Sequence, residues 1–200
     1  SKHILIHNLE PLRLLNIDHE NIMFSPEISD VALKNVQIKF NISAKEDFII
    51  FHPSSQYEYK MYPDNLRIEL ISLLNSIGIL VLITGGRSKV DNTIKNKIPS
   101  FSNIKNLIGK TSLEEYFALS YLSSAYIGMD TLNMHIAAAQ SKRIFAIFGP
   151  TKLEVWSPWS NLIRTSAMGN IPLQHYANVT IFQGDLPCVA CGNKGCDNQG

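Results

Sequence analysis

Short apolar runs alternate with segments of helical periodicity through the middle of the chain. Between residues 47 and 150, the longer segments place apolar residues three or four positions apart, which is typical of helices that cover a sheet. The predicted strands are 48–52, 80–83, 106–108, 125–128, 143–148 and 178–182, and the predicted helices are 63–76, 90–98, 112–123 and 133–140. Because strands that are apolar throughout are typical of parallel sheets joined by helical crossovers, the sequence predicts an α/β protein. Its expected architecture is a Rossmann-like parallel sheet with helices on both faces.

The pattern before residue 47 is weaker. Residues 2–16 place leucine and isoleucine near helical spacing, although Pro11 should break or kink such a helix. The Ser-Pro-Glu run at 25–27 has the order of an N-cap, a first-turn proline and a first-turn acid, and predicts a helix start. Since neither segment can build a core alone, we expect 1–45 to be a lead-in segment packed on another part of the protein, and 46–200 to be the main domain.

The composition is that of an ordinary globular domain. Of the 200 residues, 45% are hydrophobic and 18% are charged, which excludes a disordered chain, a collagen and a coiled coil. The net charge of +1 gives no field that would attract nucleic acid or an anionic lipid surface. The longest apolar run, 79–83, is too short to cross a bilayer. Because the cysteines are confined to the last 13 residues, we expect a cytoplasmic protein without a disulfide framework.

Hydroxyls, glycines and helix starts follow the predicted strands, at the edge where parallel sheets bind ligands. Backbone N–H and hydroxyl groups that converge there predict an anion site, for which phosphate is the best ligand. The Gly-Lys-Thr run at 109–111 imitates the end of a P-loop, but Ile104 occupies the position of the first glycine, which excludes a P-loop NTPase. The segments that follow the strands are 53–55, 84–87, 109–112, 129–131 and 149–151.

Each of these segments also has a structural explanation that involves no ligand. The serines at 54–55 can cap a turn, and the glycines at 85–86 can serve a tight exit from a strand. Asp130 or Thr131 can N-cap the helix that begins there, and His135 can be a structural histidine of that helix. Only the combination of segments favours a binding site.

That combination resembles glycosyltransferase family 9, the lipopolysaccharide heptosyltransferases that use ADP-heptose. Six blocks match the family's pattern in the same order over residues 51–151. They are His52-Pro53-Ser54-Ser55, Lys60-Met61-Tyr62-Pro63, Thr84-Gly85-Gly86, Asn106-Leu107-Ile108-Gly109-Lys110-Thr111-Ser112-Leu113-Glu114-Glu115, Asp130-Thr131-Leu132-Asn133-Met134-His135-Ile136-Ala137-Ala138-Ala139 and Phe148-Gly149-Pro150-Thr151.

The resemblance implies the C-terminal half of a GT-B enzyme, in which two Rossmann-like domains face each other across a cleft. Residues 46–200 would bind the nucleotide sugar and be incomplete at the C-terminus, and 1–45 would be the linker from the N-terminal half. The missing half would bind the acceptor and supply the general base for inverting transfer, so the base is expected outside this chain. The implied donor is ADP-heptose and the implied acceptor is a lipopolysaccharide core or a related envelope glycan. No cofactor or metal ion is implied, and the missing half would associate with the cytoplasmic face of the bacterial inner membrane.

The same resemblance implies which residues bind the donor. Lys60 would stabilise the leaving diphosphate, and the helix start at Asp130 and Thr131 would add backbone N–H groups. Thr111 would line the adenine side, and the Met134–His135 pair would lie near the diphosphate or the sugar. The full set of expected nucleotide-sugar-binding residues is Ser54, Ser55, Lys60, Gly85, Gly86, Thr111, Asp130, Thr131, Asn133, Met134 and His135.

Two positions depart from the family's pattern. Leu132 replaces the glycine after Asp-Thr, where a β-carbon can block close approach of the backbone to phosphate. Tyr62 replaces a tryptophan, which is a milder change. The first departure is the main support for one alternative, a nucleotide-binding module that has lost transferase activity. A GT-B sugar-nucleotide epimerase is the other alternative, and the order of the blocks favours the transferase over it.

Three cysteines, Cys188, Cys191 and Cys196, form a C-x-x-C-x4-C pattern near the end of the sequence. A zinc site normally has four ligands, and the spacing of His175 does not recommend it as the fourth. We therefore expect ordinary thiols in a loop. A metal site is the alternative, and it would need a ligand from beyond residue 200.

Overall fold

The computed structural model describes residues 2–18 and 23–191, and within them a mixed sheet is flanked by helices on both faces. The strands are β1 (Phe48–His52), β2 (Leu80–Ile83), β3 (Ile104–Asn106), β4 (Ala125–Met129), β5 (Arg143–Phe148), β6 (Leu173–Tyr176) and β7 (Val179–Gln183). The helices are α1 (Ile4–Leu14), α2 (Asp30–Phe40), α3 (Asp64–Ile77), α4 (Lys89–Lys97), α5 (Leu113–Leu122), α6 (Leu132–Ala139) and α7 (Leu153–Trp156), and a 3-10 turn spans Glu58–Lys60. The predicted α/β class is confirmed.

The order of the strands across the sheet is β3-β2-β1-β4-β5-β7-β6. Every neighbouring pair is parallel except β6 and β7, which are antiparallel. From β1 the chain first extends the sheet through β2 and β3, and then returns to add β4 and β5 on the other side of β1. Ligands bind at such a reversal of strand order, between the carboxyl ends of the two strands. A ligand-binding crevice is therefore expected between the carboxyl ends of β1 and β4.

The central strands are buried on both faces because helices cover both sides of the sheet. Ile50 and Leu82 belong to a core shared with α2, α5 and α6, whereas Phe51 and Val81 belong to a core shared with α3 and α4. Neighbouring residues of a strand point to opposite faces, so both faces must be apolar. This explains why the apolar runs in the sequence are continuous rather than alternating.

The antiparallel strand β6 was not predicted, and the reason lies in its turn. Ala177 and Asn178 connect β6 to β7, since Tyr176 pairs with Val179. Ala177 has a φ of 44°, a conformation that glycine or asparagine usually supplies in a two-residue hairpin. Because β6 lies at the edge of the sheet and its residues are at most half-buried, it also lacks an apolar run.

The predicted helix start at 25–27 is wrong. Helix α2 begins at Asp30, and the Ser29 hydroxyl accepts a hydrogen bond from the Ala32 N–H group at 3.2 Å. Val36 and Phe40 of this helix are buried in the core that also contains residues of α5 and of the sheet. The segment before β1 thus packs directly on the sheet's own helical layer.

Other boundaries differ from prediction by small amounts. Helix α1 continues through Pro11 to Leu14, so the proline does not end it. Strand β3 lies two residues before the predicted 106–108, and Leu107 and Ile108 are buried just beyond its end. The short helix α7 has no counterpart in the prediction. Among the described residues, no helix has the length and apolar character needed to cross a membrane.

Replacing Gly128 by alanine should destabilise the sheet at the β1–β4 seam. A β-carbon at Gly128 would lie 2.5 Å from the His52 carbonyl oxygen and 2.7 Å from the Tyr126 hydroxyl. We expect a loss of about 1–3 kcal/mol in the free energy of unfolding, measured by urea denaturation. Gly169→Ala is the matched control, since nothing lies within 4 Å of that β-carbon, and it should change stability by less than about 0.5 kcal/mol. Equal stability of the two variants would contradict the packing described here.

Candidate functional site

The crevice between the ends of β1 and β4 is a pocket of about 700 Å³. Segments that follow β1, β2 and β4 meet there, together with the first turn of α6 and the end of α7. The residues that line it are His52, Ser54, Ser55, Gln56, Tyr57, Lys60, Gly86, Ser88, Asp91, Asp130, Thr131, Leu132, Asn133, His135 and Trp156.

Eight of the eleven expected binding residues line this pocket, and three do not. Met134 is fully buried in the apolar core, because the first turn of α6 directs its neighbours to the pocket and Met134 to the sheet. Gly85 is buried beneath the loop that carries Gly86. Thr111 is half-buried between β3 and α5, outside the pocket lining.

Lys60 and Asp130 form an ion pair across the crevice. The 3-10 turn carries Lys60 toward the end of β4, where its Nζ lies 2.7 Å from Asp130 Oδ2. The Asp130 side chain is only 6% exposed and that of Lys60 is 19% exposed. A carboxylate so far removed from water needs a partner, and Lys60 supplies it. The pair therefore fixes the ammonium group in the wall of the pocket.

The Phe-Gly-Pro-Thr segment after β5 makes room for the turn that carries Lys60. A β-carbon at Gly149 would lie 3.1 Å from the carbonyl oxygen of Tyr59, so a side chain there would press against the turn. Gln183, which is buried, donates hydrogen bonds to the carbonyl oxygens of Gly149 and Thr151 at 2.8 and 2.9 Å. The segment thus has a fixed shape directly behind Lys60.

The N-terminus of α6 faces the same pocket. Thr131 is its N-cap residue but makes no side-chain capping hydrogen bond. The N–H groups of Met134 and His135 bond to the Thr131 carbonyl, whereas the N–H groups of Leu132 and Asn133 precede the first helical hydrogen bond. Such N–H groups and the helix dipole favour an anion at this position.

Three large apolar side chains in the pocket lining are exposed. Leu132 is 60% exposed, and Tyr57 and Trp156 are also partly exposed. The side chain that replaces the family's glycine is therefore largely open to solvent at the first residue of α6.

Two histidines of the pocket are held neutral. Burial lowers the pKa of His52 to about 4, and its Nδ1 lies 2.9 Å from the Thr84 hydroxyl. Burial also lowers the pKa of His135; Asp130 opposes this effect, and His3 and Lys60 add to it. At neutral pH both rings offer one N–H donor and one acceptor rather than a positive charge. Lys60 is therefore the cation of this pocket within the part of the chain that the structure describes.

A second, more apolar cavity of about 400 Å³ borders the pocket and shares His135 and Trp156 with it. It lies between α1 and the segment that follows α7. His3 joins these two elements, because its Nε2 lies 2.8 Å from the Ser157 carbonyl and its Nδ1 accepts from the Leu5 N–H group. Both nitrogen atoms of the His3 ring are therefore engaged in hydrogen bonds.

Several residues of the pocket were not predicted from the sequence. One signal was available for Asp91, because Ser88 and Asp91 have the spacing of a capping box, which the structure contains at the start of α4. No comparable signal pointed to Gln56, Tyr57 or Trp156.

The cysteine pattern forms no metal site within residues 2–18 and 23–191. No three histidine, cysteine, aspartate or glutamate side chains come together there in a way that could hold a metal ion. Cys188 and Cys191 are exposed, and Cys196 lies outside the described residues.

Comparison with known proteins gives consistent results. The family model "Glycosyltransferase family 9 (heptosyltransferase)" matches residues 9–183. The chain is 26% identical over 180 residues to lipopolysaccharide heptosyltransferase 3 of Escherichia coli K12, covering 86% of this chain and 52% of that protein. This chain therefore spans about half the length of that relative.

Two solved structures have the same fold. The ADP-heptose LPS heptosyltransferase II of E. coli superposes with a TM-score of 0.59 and 24% identity, over 68% of this chain and 43% of that one. A glycosyl transferase family 9 protein from Veillonella parvula gives a TM-score of 0.65 and 16% identity, over 80% of this chain and 47% of that one.

The ion pair in the pocket should be measurable as a coupling free energy. Lys60→Met leaves the buried Asp130 carboxylate without its partner, so we expect it to lower the free energy of unfolding by about 1–3 kcal/mol. Adding Asp130→Asn removes the charge that Lys60 neutralised. The double variant should therefore lose about 1–2 kcal/mol less of the free energy of unfolding than the two single losses add up to. A double-mutant cycle in urea tests this. Additive effects would show that the two side chains do not interact.

The buried His52 should make stability depend on pH. An unfolded histidine titrates near 6.5 and folded His52 near 4, so the unfolded state takes up a proton first as the pH falls. The stability that neutral His52 contributes is fully present above about pH 6.5 and is lost progressively toward pH 4, by about 3 kcal/mol over the whole range.

His52→Gln should therefore flatten the dependence of the free energy of unfolding on pH between 6.5 and 4. His175→Gln, at an exposed position of β6, is the control and should keep the slope of the unchanged protein. A slope that His52→Gln leaves unaltered would show that this ring is not the buried group that resists protonation.

Proposed function

This chain belongs to glycosyltransferase family 9, and from that premise we propose that it binds the diphosphate of a nucleotide-sugar donor in the pocket between β1 and β4. The observation that carries the proposal is the convergence of the Lys60 ammonium group and the N-terminus of α6 on one crevice. Both features favour negative charge, and they approach from different elements of the fold. A diphosphate is the group that two such features suit best.

The chemistry of transfer requires this arrangement. When the sugar leaves the donor, negative charge develops on the diphosphate, and groups that are already in place stabilise it most effectively. Asp130 holds Lys60 at 2.7 Å before the donor arrives, so less side-chain freedom is lost on binding. Because Asp130 is itself anionic, we place it on Lys60 and the sugar hydroxyls rather than on the phosphates.

The other expected residues have different places around the donor. The proposal puts Ser55, Thr131, Asn133 and His135 near the diphosphate and the sugar. The base would extend from Gly86 toward the loop that contains Thr111. Arg87 joins those two loops, because its Nε donates to the Gly109 carbonyl at 3.1 Å.

ADP-heptose is the donor that we propose, and a lipopolysaccharide core or a related envelope glycan is the proposed acceptor. The support is the name of the E. coli structure, an ADP-heptose heptosyltransferase, and the name of the relative, a lipopolysaccharide heptosyltransferase. These names, and that of the matching family model, are names of transferases, which favours a transferase over an epimerase. We place the reaction at the cytoplasmic face of the inner membrane, where such an acceptor would be available.

Turnover would require a second half of the protein. The chain spans about half of the relative that it matches, so we propose that the acceptor site and the general base are supplied by sequence outside these residues. Transfer would then be inverting, with the base on the opposite side of the cleft from Lys60. The chain alone is expected to bind the donor and to turn over scarcely at all.

Nucleotide selectivity tests the proposal directly. Titration calorimetry of the chain with ADP, UDP, GDP and CDP should give measurable binding for ADP and weaker binding for the other three. Thermal shift over the same concentrations should rise with ADP in parallel, because a ligand that binds only the folded state stabilises it. Failure of all four diphosphates to bind would overturn the proposal.

Lys60→Met should weaken ADP binding by about 1.5–3 kcal/mol, or roughly ten- to a hundredfold, because a charge-assisted contact to the diphosphate is lost. Lys34→Met is the matched control: it removes the same charge from an exposed position on α2, away from the pocket. Its ADP affinity should equal that of the unchanged protein. Equal loss in both variants would mean that net charge, and not the pocket, attracts the nucleotide.

A further inference from the structure

One buried carboxylate, that of Asp91, lies in the wall of the pocket. Asp91 is the third residue of α4 and is 7% exposed. Its neighbours in space are the segment after β1, which contains Ser54, and the segment after β2, which contains Gly86 and Ser88. All three of these residues line the pocket. The carboxylate therefore lies where two walls of the pocket meet.

Polar groups of both neighbouring segments surround this carboxylate. The hydroxyl and the N–H group of Ser88 donate hydrogen bonds to Asp91 Oδ2 at 2.6 and 3.0 Å. Burial of the carboxyl would raise its pKa, but Ser88, the Ser54 hydroxyl and the Gly86 N–H group stabilise the charged form and lower the pKa below the usual value. Asp91 is thus a carboxylate that the surrounding loops hold in its charged form.

The two glycines after β2 are explained by the same carboxylate. A β-carbon at Gly85 would lie 3.0 Å from Asp91 Oδ1, and one at Gly86 would lie 2.9 Å from Asp91 Oδ2. Neither glycine has a positive φ, so backbone conformation does not require them. They are needed because the loop packs directly on Asp91.

We propose that Asp91 is a positioning residue for donor binding: it fixes the Ser54 and Gly86 walls of the pocket relative to each other. The inference rests on the proposed function, since it concerns the shape of the same pocket. Asp91 also lines the pocket, but Ser88 already donates two hydrogen bonds to its Oδ2, so the proposed role is to hold Ser54, Gly86 and Ser88 in place rather than to bind the donor. Removing its charge should therefore weaken donor binding even though Lys60 and the α6 N-terminus are unchanged.

A role in helix capping alone would predict something different. Asp91 and Ser88 form the capping box of α4, and Glu115 and Ser112 form an equivalent capping box at the start of α5. Glu115 does not line the pocket. If Asp91 only capped a helix, the two acids would behave alike, with a loss of stability and no specific effect on the ligand.

The test compares Asp91→Asn with Glu115→Gln, using ADP as the probe. Asparagine keeps the shape of the side chain but replaces one acceptor oxygen by an NH₂ group, which cannot accept from the donors around it. We expect ADP affinity to fall about tenfold in Asp91→Asn and to change less than about twofold in Glu115→Gln, measured calorimetrically where both variants are fully folded. Urea denaturation of both variants separates this effect from stability.

A double-mutant comparison tests whether Asp91 affects ADP binding through Ser54. If Asp91 acts through Ser54, then Ser54→Ala should weaken ADP binding less in the Asp91→Asn background than in the unchanged protein. Additive effects of the two substitutions would overturn that route. If Asp91→Asn does not fold, Ser88→Ala, which removes one donor and keeps the carboxylate, replaces it and should weaken ADP binding about threefold. Unchanged affinity would then overturn the inference.

The outcomes for the two proposals are distinct. An unchanged protein that binds none of the four nucleoside diphosphates overturns the proposed function. If the unchanged protein binds ADP, but Asp91→Asn binds it equally tightly, the proposed function stands and the proposed role of Asp91 is overturned. Equal losses of ADP affinity in Asp91→Asn and Glu115→Gln would likewise show that Asp91 acts only as a helix cap.

Discussion

The ion pair between Lys60 and Asp130 connects the parts of the structure on which a binding site depends. The reversal of strand order brings the ends of β1 and β4 side by side, and the pair spans that gap. Gly149 leaves room for the turn that carries Lys60, and Gln183 holds the segment around Gly149 in place. The Lys60 ammonium group is therefore held in the same pocket as the N-terminus of α6, by Asp130 after β4, by the segment after β5 and, through that segment, by Gln183 of β7.

Most of the fold followed from local signals in the sequence. Continuous apolar runs identified the central parallel strands, helical periodicity identified α5, and the family resemblance of the six motif blocks is confirmed by the family match. The misses have local causes as well. Strand β6 is joined by a turn in which Ala177 adopts a positive φ, and α2 begins at Asp30, after the N-cap Ser29, rather than at the Ser-Pro-Glu run of 25–27.

The sequence predicted most of the residues that the structure gathers in one pocket, but not the contacts between them. Motif order placed Lys60 and Asp130 near each other, but nothing in a sequence shows that a carboxylate 70 positions away would be the partner of the lysine. The rotation of the short helix α6 about its axis decides that Met134 is buried and that His135 faces the pocket. A predicted helix start that is wrong by one residue would reverse these two positions. Gly85 and Gly86 suggested a tight turn, whereas the structure shows that Asp91 occupies the space beside them.

The position of the diphosphate in a crystal structure of this chain with ADP decides whether the pocket binds the donor. We expect the diphosphate to lie within hydrogen-bond distance, about 3 Å, of Lys60 Nζ and of the first N–H groups of α6. A diphosphate found elsewhere, for example in the apolar cavity beside His3, would show that this pocket is not the donor site. A diphosphate in the pocket that leaves Lys60 bound to Asp130 alone would show that the ammonium group does not bind the donor.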